Sequence, residues 1–292
     1  MENAVISFPI LGDIALNPPS SFKLFNFTFY IYGLVIATGF LLAVIYCTLK
    51  CRKFSVNEDN FFDALLFSVP AGIIGARVYY VVFNFSNFAG DWTSVFKIRE
   101  GGLAIYGGII FSVLTALIVC RRKKIPIASL LDTASFGFLI GQCIGRWGNF
   151  FNREAFGPIT DSLFRMGLTL PGFETMYVHP TFLYESLWNL VGFVAMHIYS
   201  VKRERLFEGQ YFLSYVAWYG LGRMFIEGLR SDSLFIPGTS LRVSQLVAAA
   251  SFIAAVVAIH YFAKRAKSSN SPGQGLTPAS DGELPHTGEE RT

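Results

Sequence analysis

The sequence predicts an all-α integral membrane protein with seven transmembrane helices. We expect its N-terminus outside, its C-terminus in the cytoplasm and an outward loop region between helices 4 and 5. Three observations support this class. Of the 292 residues, 52% are apolar and only 15% are charged, a balance that is typical of membrane proteins. Seven apolar stretches are long enough to cross a bilayer, and basic residues are concentrated after alternate stretches.

The apolar stretches give the helices in order. A helix needs about 20 apolar residues to cross a bilayer core of roughly 30 Å. The stretches that satisfy this condition lie at about 25–49, 61–85, 103–120, 125–145, 181–200, 211–229 and 241–262. The segment before the first stretch lacks the basic residues of a signal peptide, so we expect that stretch to remain in the mature protein. The membrane domain is therefore predicted to cover residues 1–267.

Residues 268–292 form a tail of different composition. They are rich in Ser, Pro, Gly and Glu and show no apolar periodicity. A segment of this kind buries too little apolar surface to become ordered. We predict a disordered tail on the cytoplasmic side of the membrane.

The basic residues predict the orientation of the chain. Thirteen of them follow the odd-numbered stretches, and eight are scattered over the other connections. The thirteen are Lys50, Arg52, Lys53, Arg121, Arg122, Lys123, Lys124, Lys202, Arg203, Arg205, Lys264, Arg265 and Lys267. Because loops rich in Lys and Arg stay in the cytoplasm, the ends of the odd-numbered helices are predicted to be cytoplasmic.

The composition also limits the function. An aromatic content of 16% excludes a disordered chain, and the apolar composition argues against a nucleic-acid partner. The four cysteines lie in or beside apolar stretches without a CxxC pair, which argues against a zinc site and against a disulfide framework. We expect no metal and no cofactor. The sequence shows no internal repeat, which argues against a transporter built from inverted repeats.

Ionisable residues inside apolar stretches are costly and therefore mark candidate functional positions. Six of them lie within or at the ends of the stretches: Asp63, Arg77, Asp132, Glu185, Arg223 and Glu227. Arg223 and Glu227 are four residues apart on a predicted helix. An ion pair that only neutralises both charges is thus an open alternative for these two residues.

Residues 145–157, GRWGNFFNREAFG, open the predicted outward connection. If this segment is helical, four donors fall near one face: Arg146, Asn149, Asn152 and Arg153. Such donors suit a phosphate, because a guanidinium fork matches phosphate oxygens and keeps its charge. The segment therefore indicates a phosphate-binding site at the membrane boundary.

A second glycine-rich segment, GGLAIYGG at 101–108, is predicted to enter the third stretch from the same outer side. Its four glycines flank Tyr106 and permit the backbone to bend around a ligand headgroup. Close packing of helices through small residues explains the same pattern equally well. Both interpretations stay open.

Six segments together resemble the signature segments of the prolipoprotein diacylglyceryl transferase family. They are IYG at 31–33, GARVYYV at 75–81, GGLAIYGG at 101–108, GRWGNFFNREAFG at 145–157, HPTFLYE at 179–185 and GRMFIEGLR at 222–230. The resemblance implies a seven-span enzyme of the bacterial inner membrane. Such an enzyme moves the diacylglyceryl group of phosphatidylglycerol to the thiol of a lipobox cysteine and releases glycerol phosphate. Its partners are phosphatidylglycerol, lipobox-containing preprolipoproteins and membrane lipids.

The resemblance also implies site residues. Arg146 and Arg223 match the family's two essential arginines, which makes them catalytic and phosphate-binding candidates. Further candidates for substrate binding are Tyr32, Asn149, Asn152, Glu154, Gly157 and Glu227. Tyr106 stands where well-studied members have a His. We predict that Tyr106 is a catalytic hydrogen-bond donor and not a base, since a Tyr with an unperturbed pKa of about 10 stays protonated at neutral pH.

The alternative is a membrane transporter or channel for an anionic solute. In that case the same arginines form a selectivity site. Lipid-dependent transfer of a label to a lipobox peptide separates the two hypotheses.

Overall fold

The computed structural model describes residues 4–12, 14–25, 27–88, 90–98, 101–230, 235–236, 239 and 242–269. Within these residues the chain forms seven long α-helices: α1 (Ile31–Cys51), α2 (Glu58–Phe83), α3 (Ile105–Lys123), α4 (Ile127–Asn152), α5 (Thr181–Lys202), α6 (Gln210–Ile226) and α7 (Val243–Ser269). The helices α1 to α4 and α7 are long and apolar enough to cross a membrane. The predicted class, a mostly helical multi-pass membrane protein, is confirmed.

The helices α5 and α6 do not meet the same criterion of length and hydropathy. α6 has only 17 residues, and α5 carries the buried polar residues Glu185, Ser186 and Asn189. Polar residues that face the interior of a helical bundle lower the hydropathy of a helix without exposing charge to lipid. Seven spans and their orientation stay predictions.

The largest differences between the helix bounds and the predicted stretches lie in three places. α1 begins at Ile31 instead of residue 25, because residues 27–30 form a β-strand. α4 continues to Asn152, so the segment GRWGNFFN forms its last two turns and the outward connection begins only at Arg153. α7 extends to Ser269, which makes the first residues of the predicted tail helical, and residues 270–292 lie outside the described residues.

Two small sheets accompany the helices, and the prediction of an all-α chain missed both. The strands are β1 (Val5–Ser7), β2 (Ser21–Leu24), β3 (Phe27–Tyr30), β4 (Met166–Thr169) and β5 (Met176–Val178). β2 and β3 form a hairpin before α1, and the other three form an antiparallel sheet in the order β1-β4-β5. Strands of three or four residues are too short to show a periodicity of two in the sequence. The predicted loop region between α4 and α5 thus contains β4 and β5.

Arg153 connects the end of α4 to the N-terminal segment. Its Nε donates to the carbonyl of Ala4 at 2.6 Å, and its Nη2 donates to Oδ1 of Asn17 at 2.7 Å. The residue has a φ of +52° and ends α4, so the chain turns away from the helix axis there. The prediction that Arg153 lies on one face with Arg146 is therefore wrong.

A buried ion pair positions the start of α6. Asp132 on α4 is fully buried and lies 3.0 Å from Nη1 of Arg205. Its carboxylate also accepts the backbone N–H groups of Gly209 and Phe212, at 2.9 and 3.0 Å. The first N–H groups of a helix have no partner within it, and a carboxylate satisfies them well. Asp132 therefore fixes the helix that carries Arg223.

Candidate active site

Three arginines meet one glutamate near the ends of α4 and α6. Glu185, one turn into α5, is 5% exposed. Its Oε2 lies 2.6 Å from Nε of Arg146. Its Oε1 lies 2.9 Å from Nη1 of Arg223 and 3.2 Å from Nη1 of Arg230. Arg230 follows the short helical turn Glu227–Leu229 that ends α6, so side chains from three parts of the chain converge on one buried carboxylate.

Arg223 binds a second carboxylate as well. Its Nη2 lies 2.6 Å from Oε2 of Glu227, which is 2% exposed. The ion pair considered from the sequence is thus present, and it is joined to Glu185 through the same guanidinium. Two different nitrogens bridge two carboxylates, which fixes the plane of the guanidinium. We call Arg146, Glu185, Arg223, Glu227 and Arg230 the arginine cluster; its three guanidinium groups and two carboxylates leave one positive charge.

Gly157 joins the start of α5 to the end of α6. Its N–H donates to the carbonyl of His179 at 2.8 Å. A Cβ at Gly157 would lie 2.4 Å from the carbonyl oxygen of Leu229, directly before Arg230. Because any side chain here would collide with backbone, the packing requires glycine. Gly157, predicted to bind substrate, thus lies where it brings the two sides of the cluster together.

A second set of predicted residues meets at the C-terminal end of α4. Nδ2 of Asn149 and Nδ2 of Asn152 both donate to Oε1 of Glu154, at 3.1 and 3.3 Å. Asn149 lies three residues after Arg146, so both side chains project from neighbouring positions on one face of α4. The two hydrogen bonds are exposed. These amides and this carboxylate are therefore accessible to a ligand.

Tyr32 reaches this end of α4 from the first turn of α1. A Cβ at Gly148 would lie 2.7 Å from Cδ2 of Tyr32, so the phenol ring packs directly on the α4 backbone. The tyrosine is 37% exposed. The structure thus places Tyr32 beside the helix turn that carries Asn149.

Tyr106 lies on α3, a helix that carries none of these residues. It is 65% exposed on the first turn of α3, and within the described part of the chain its hydroxyl makes no hydrogen bond to the arginine cluster. The neighbouring Gly107 packs closely on α2, since its Cβ would lie 2.3 Å from the carbonyl oxygen of Gly75. Helix packing, one of the two interpretations of GGLAIYGG, is therefore confirmed for Gly107.

A sequence model described as prolipoprotein diacylglyceryl transferase matches residues 19–261. The chain belongs to this family. Proteins named phosphatidylglycerol–prolipoprotein diacylglyceryl transferase are similar to it over most of their length. The one from Ligilactobacillus salivarius is 44% identical over 250 residues, which cover 83% of this chain and 92% of the relative. Those from Enterococcus faecalis and Bacillus cereus are 42% and 38% identical, over 82% and 86% of this chain and 88% and 94% of the relatives.

Family membership confirms the resemblance drawn from the six segments. It also confirms the expectation of a transferase that acts in lipoprotein biosynthesis. The alternative of a transporter for an anionic solute is not supported. The roles of the individual site residues stay hypotheses.

Sequence reasoning on this diacylglyceryl transferase family member missed Arg230 and gave Glu185 only as an ionisable candidate. Both bind at the centre of the cluster. Glu185 ends the segment HPTFLYE, and Arg230 ends the segment GRMFIEGLR. The charged residue at the end of each signature segment could have identified both as site candidates.

Three other ionisable candidates of this transferase have structural positions. Arg77 is 8% exposed and donates at 2.6 to 2.9 Å to the carbonyls of residues 94, 95, 101 and 102, which holds the loop before α3. Asp63 forms an ion pair with Lys123 at the end of α3, and Asp132 anchors α6. Their partners give each of the three a structural role, and a functional role for them stays a hypothesis.

Proposed function

We propose that this chain transfers the diacylglyceryl group of phosphatidylglycerol to the thiol of the lipobox cysteine of a prolipoprotein. The reaction takes place at the outer face of the bacterial cytoplasmic membrane and releases glycerol phosphate. The names of the similar proteins give the lipid and the protein substrate. The observation that carries the proposal is the arginine cluster, in which Arg146 of α4 and Arg223 of α6 share one buried carboxylate.

In this proposal all seven helices cross the membrane. The N-terminus lies outside, and the thirteen basic residues at the C-terminal ends of α1, α3, α5 and α7 lie in the cytoplasm. The 17 residues of α6 span about 26 Å, and the turn that follows brings this helix close to the thickness of the bilayer core. The arginine cluster then lies near the outer surface, where the phosphate of a lipid in the outer leaflet reaches it.

The charge of the cluster suits a phosphodiester. The cluster holds more guanidinium groups than carboxylates, which favours the binding of a phosphate anion. Arg146 and Arg223 hold the phosphate with their guanidinium forks, and Arg230 adds a third donor group. Because the carboxylates and arginines are mostly buried, the attraction is stronger here than in water.

The proposed chemical step is a displacement at carbon. The thiolate sulfur attacks C3 of the diacylglyceryl group, a C–S bond forms and the C–O bond to phosphate breaks. The electron pair stays on the phosphate oxygen, which leaves with the glycerol. The departing phosphate can take up the proton that the thiol loses, so no further reactant is required. Arg146 and Arg223 stabilise the charge that develops on the phosphate, and their field lowers the thiol pKa from its unperturbed value of about 8.5.

The remaining candidate residues have supporting roles in this proposal. Tyr32 and Tyr106 are 37% and 65% exposed, and their hydroxyl groups donate to phosphate or glycerol oxygens. For Tyr106 this role requires that the lipid headgroup extends to the first turn of α3. Asn149 and Asn152 donate hydrogen bonds to Glu154, and the three side chains together offer polar contacts to the headgroup. Glu227 orients Arg223 through their ion pair. Gly157 positions Arg230 through its close packing against the carbonyl of Leu229.

A transfer assay tests the function. The purified protein is mixed with phosphatidylglycerol, labelled in its diacylglyceryl part, and with a synthetic lipobox peptide in detergent micelles. We expect the label to join the peptide through a thioether while an equal amount of glycerol phosphate is released. A peptide with serine in place of the lipobox cysteine is the matched control. Absence of peptide labelling with a folded enzyme would refute the proposed function.

A further inference from the structure

The helices α5 and α6 carry the same interval between a tryptophan and a glycine. Trp188 precedes Gly192 by four residues on α5, and Trp218 precedes Gly222 by four residues on α6. The two indole rings stack with centroids 4.4 Å apart and planes inclined by 18°. Each indole N–H donates to the backbone carbonyl of the other tryptophan, at 3.0 and 2.9 Å. Both donors are thereby satisfied inside the bundle, where water is scarce.

Each indole also occupies the space beside the glycine of the opposite helix. A Cβ at Gly192 would lie 2.3 Å from Nε1 of Trp218, and a Cβ at Gly222 would lie 2.2 Å from Nε1 of Trp188. Neither position therefore accepts even a methyl group without displacing a ring. Moving one helix along the other by the rise of one residue, about 1.5 Å, would break both hydrogen bonds and both contacts. We call these four residues the Trp–Gly lock.

The Trp–Gly lock lies directly beside the arginine cluster. Glu185 precedes Trp188 by three residues, and Arg223 follows Gly222 immediately. A cavity of about 10 Å³ lies between the lock and the cluster, and its lining includes Glu185, Trp188, Gly222 and Arg223. Such a volume holds about one water molecule. Because the space beside the ion pair between Glu185 and Arg223 is this small, the two side chains have little room to change conformation.

We propose that the Trp–Gly lock sets the register of α5 against α6 and thereby positions Glu185 and Arg223 for group transfer. Its members are positioning residues, and the inference rests on the function proposed above. Groups that stabilise a transition state must be held closely, since a misplacement of about 1 Å can cost on the order of 10²-fold in rate. The lock joins the two helices through stacked indole rings and hydrogen bonds to backbone carbonyls. It uses no charged side chain, so the guanidinium groups of the cluster remain able to bind the lipid.

The first test is Gly192→Ala, measured in the transfer assay. Gly192 lies two turns from Glu185, so the variant leaves the side chains of the cluster unchanged. We expect kcat per folded enzyme to fall about 10- to 100-fold while KM for phosphatidylglycerol changes less than about threefold. The matched control is Gly141→Ala on α4, where a Cβ meets no atom within 4 Å. This control should keep kcat within about twofold.

A double-mutant cycle separates positioning from stability. In a Glu185→Gln background the ion pair to Arg223 is already weakened, so adding Gly192→Ala should cost less than about threefold. An equal loss of kcat in both backgrounds would show that the lock acts on the fold alone and would overturn the inference. A wild-type kcat in the single variant Gly192→Ala would overturn it as well.

A second variant keeps the test decisive if Gly192→Ala does not fold. Trp218→Phe keeps an aromatic ring but loses the N–H bond to Trp188, and we expect kcat to fall about three- to tenfold. An unchanged kcat here contradicts the lock. Failure of the lock is distinguishable from failure of the proposed function, because the latter requires that the wild-type enzyme itself transfers no diacylglyceryl group.

Discussion

Replacement of Arg223 by lysine tests the phosphate assignment most directly. The change keeps the positive charge and removes the guanidinium fork. In the structure, Nη1 of Arg223 lies 2.9 Å from Glu185 and Nη2 lies 2.6 Å from Glu227. A single ammonium nitrogen cannot occupy both positions, so Arg223→Lys loses at least one contact to a carboxylate and loses bidentate contact with a phosphate.

The size of the effect follows from these contacts. A hydrogen bond to a charged group contributes about 1.5–3 kcal/mol. Water screens this one little, because the Arg223 side chain is only 19% exposed. Removing a donor that acts on developing charge costs on the order of 10²-fold in rate, or about 2.7 kcal/mol. We therefore expect kcat/KM of Arg223→Lys to fall on the order of 10²-fold, and the same for Arg146→Lys, whose Nε contact at 2.6 Å is also lost.

The assay measures transfer of diacylglyceryl groups from phosphatidylglycerol to the lipobox peptide, corrected for the folded fraction of each variant. Arg52→Lys is the matched control, since Arg52 is 89% exposed and pairs with Glu58 outside the site. It should stay within about twofold of the wild type. Near-normal kcat/KM in both Arg146→Lys and Arg223→Lys would refute the phosphate assignment.

Three further predictions concern the donors and the topology. Asn149→Ala should lower kcat/KM less than about tenfold in the same assay, because it removes one neutral donor worth about 0.5–1.5 kcal/mol; a loss as large as that of Arg223→Lys would contradict this ranking. Tyr106→Phe should lower kcat about 10- to 10²-fold, while Tyr106→His should keep substantial activity; wild-type turnover of Tyr106→Phe would exclude a donor role. Single cysteines near Lys123 should be shielded from an impermeant thiol reagent in intact cells, and those near Asp161 should react; the opposite pattern would invert the topology.

The sequence predicted the helices well because each is a long apolar stretch. Every predicted stretch overlaps one of the α-helices of the described residues. The ends were less accurate, since they depend on local partners. Residues 27–30 were predicted to belong to the first helix, yet they pair with Ser21–Leu24 in a hairpin. Arg153 was placed on one helix face with Arg146 on the condition that the segment is helical. It instead ends α4 with a positive φ, and its side chain binds the N-terminal segment.

The site was only partly predictable for a different reason. Arg146 and Arg223 were candidates from the residue pattern alone, and the resemblance added their catalytic and phosphate-binding roles. Their meeting point at Glu185 was not visible, because these residues lie 38 or more positions apart in the chain and meet only after α4, α5 and α6 pack. Tyr106 shows the converse: the sequence grouped it with the arginines, and the structure places it on α3, outside the cluster.

Four arginines that the sequence marked as candidates, Arg77, Arg146, Arg153 and Arg223, fall into two groups that their sequence positions do not separate. Arg77 and Arg153 donate to backbone carbonyls. A guanidinium bound in this way cannot turn to a phosphate without leaving buried carbonyls unpaired, at a cost of about 1–3 kcal/mol each. Arg146 and Arg223 donate to carboxylates instead. A phosphate is the same kind of acceptor, so exchanging one anion for another leaves each donor bonded. For these four arginines, we therefore expect the kind of partner, carbonyl or carboxylate, to determine which of them can bind the lipid phosphate.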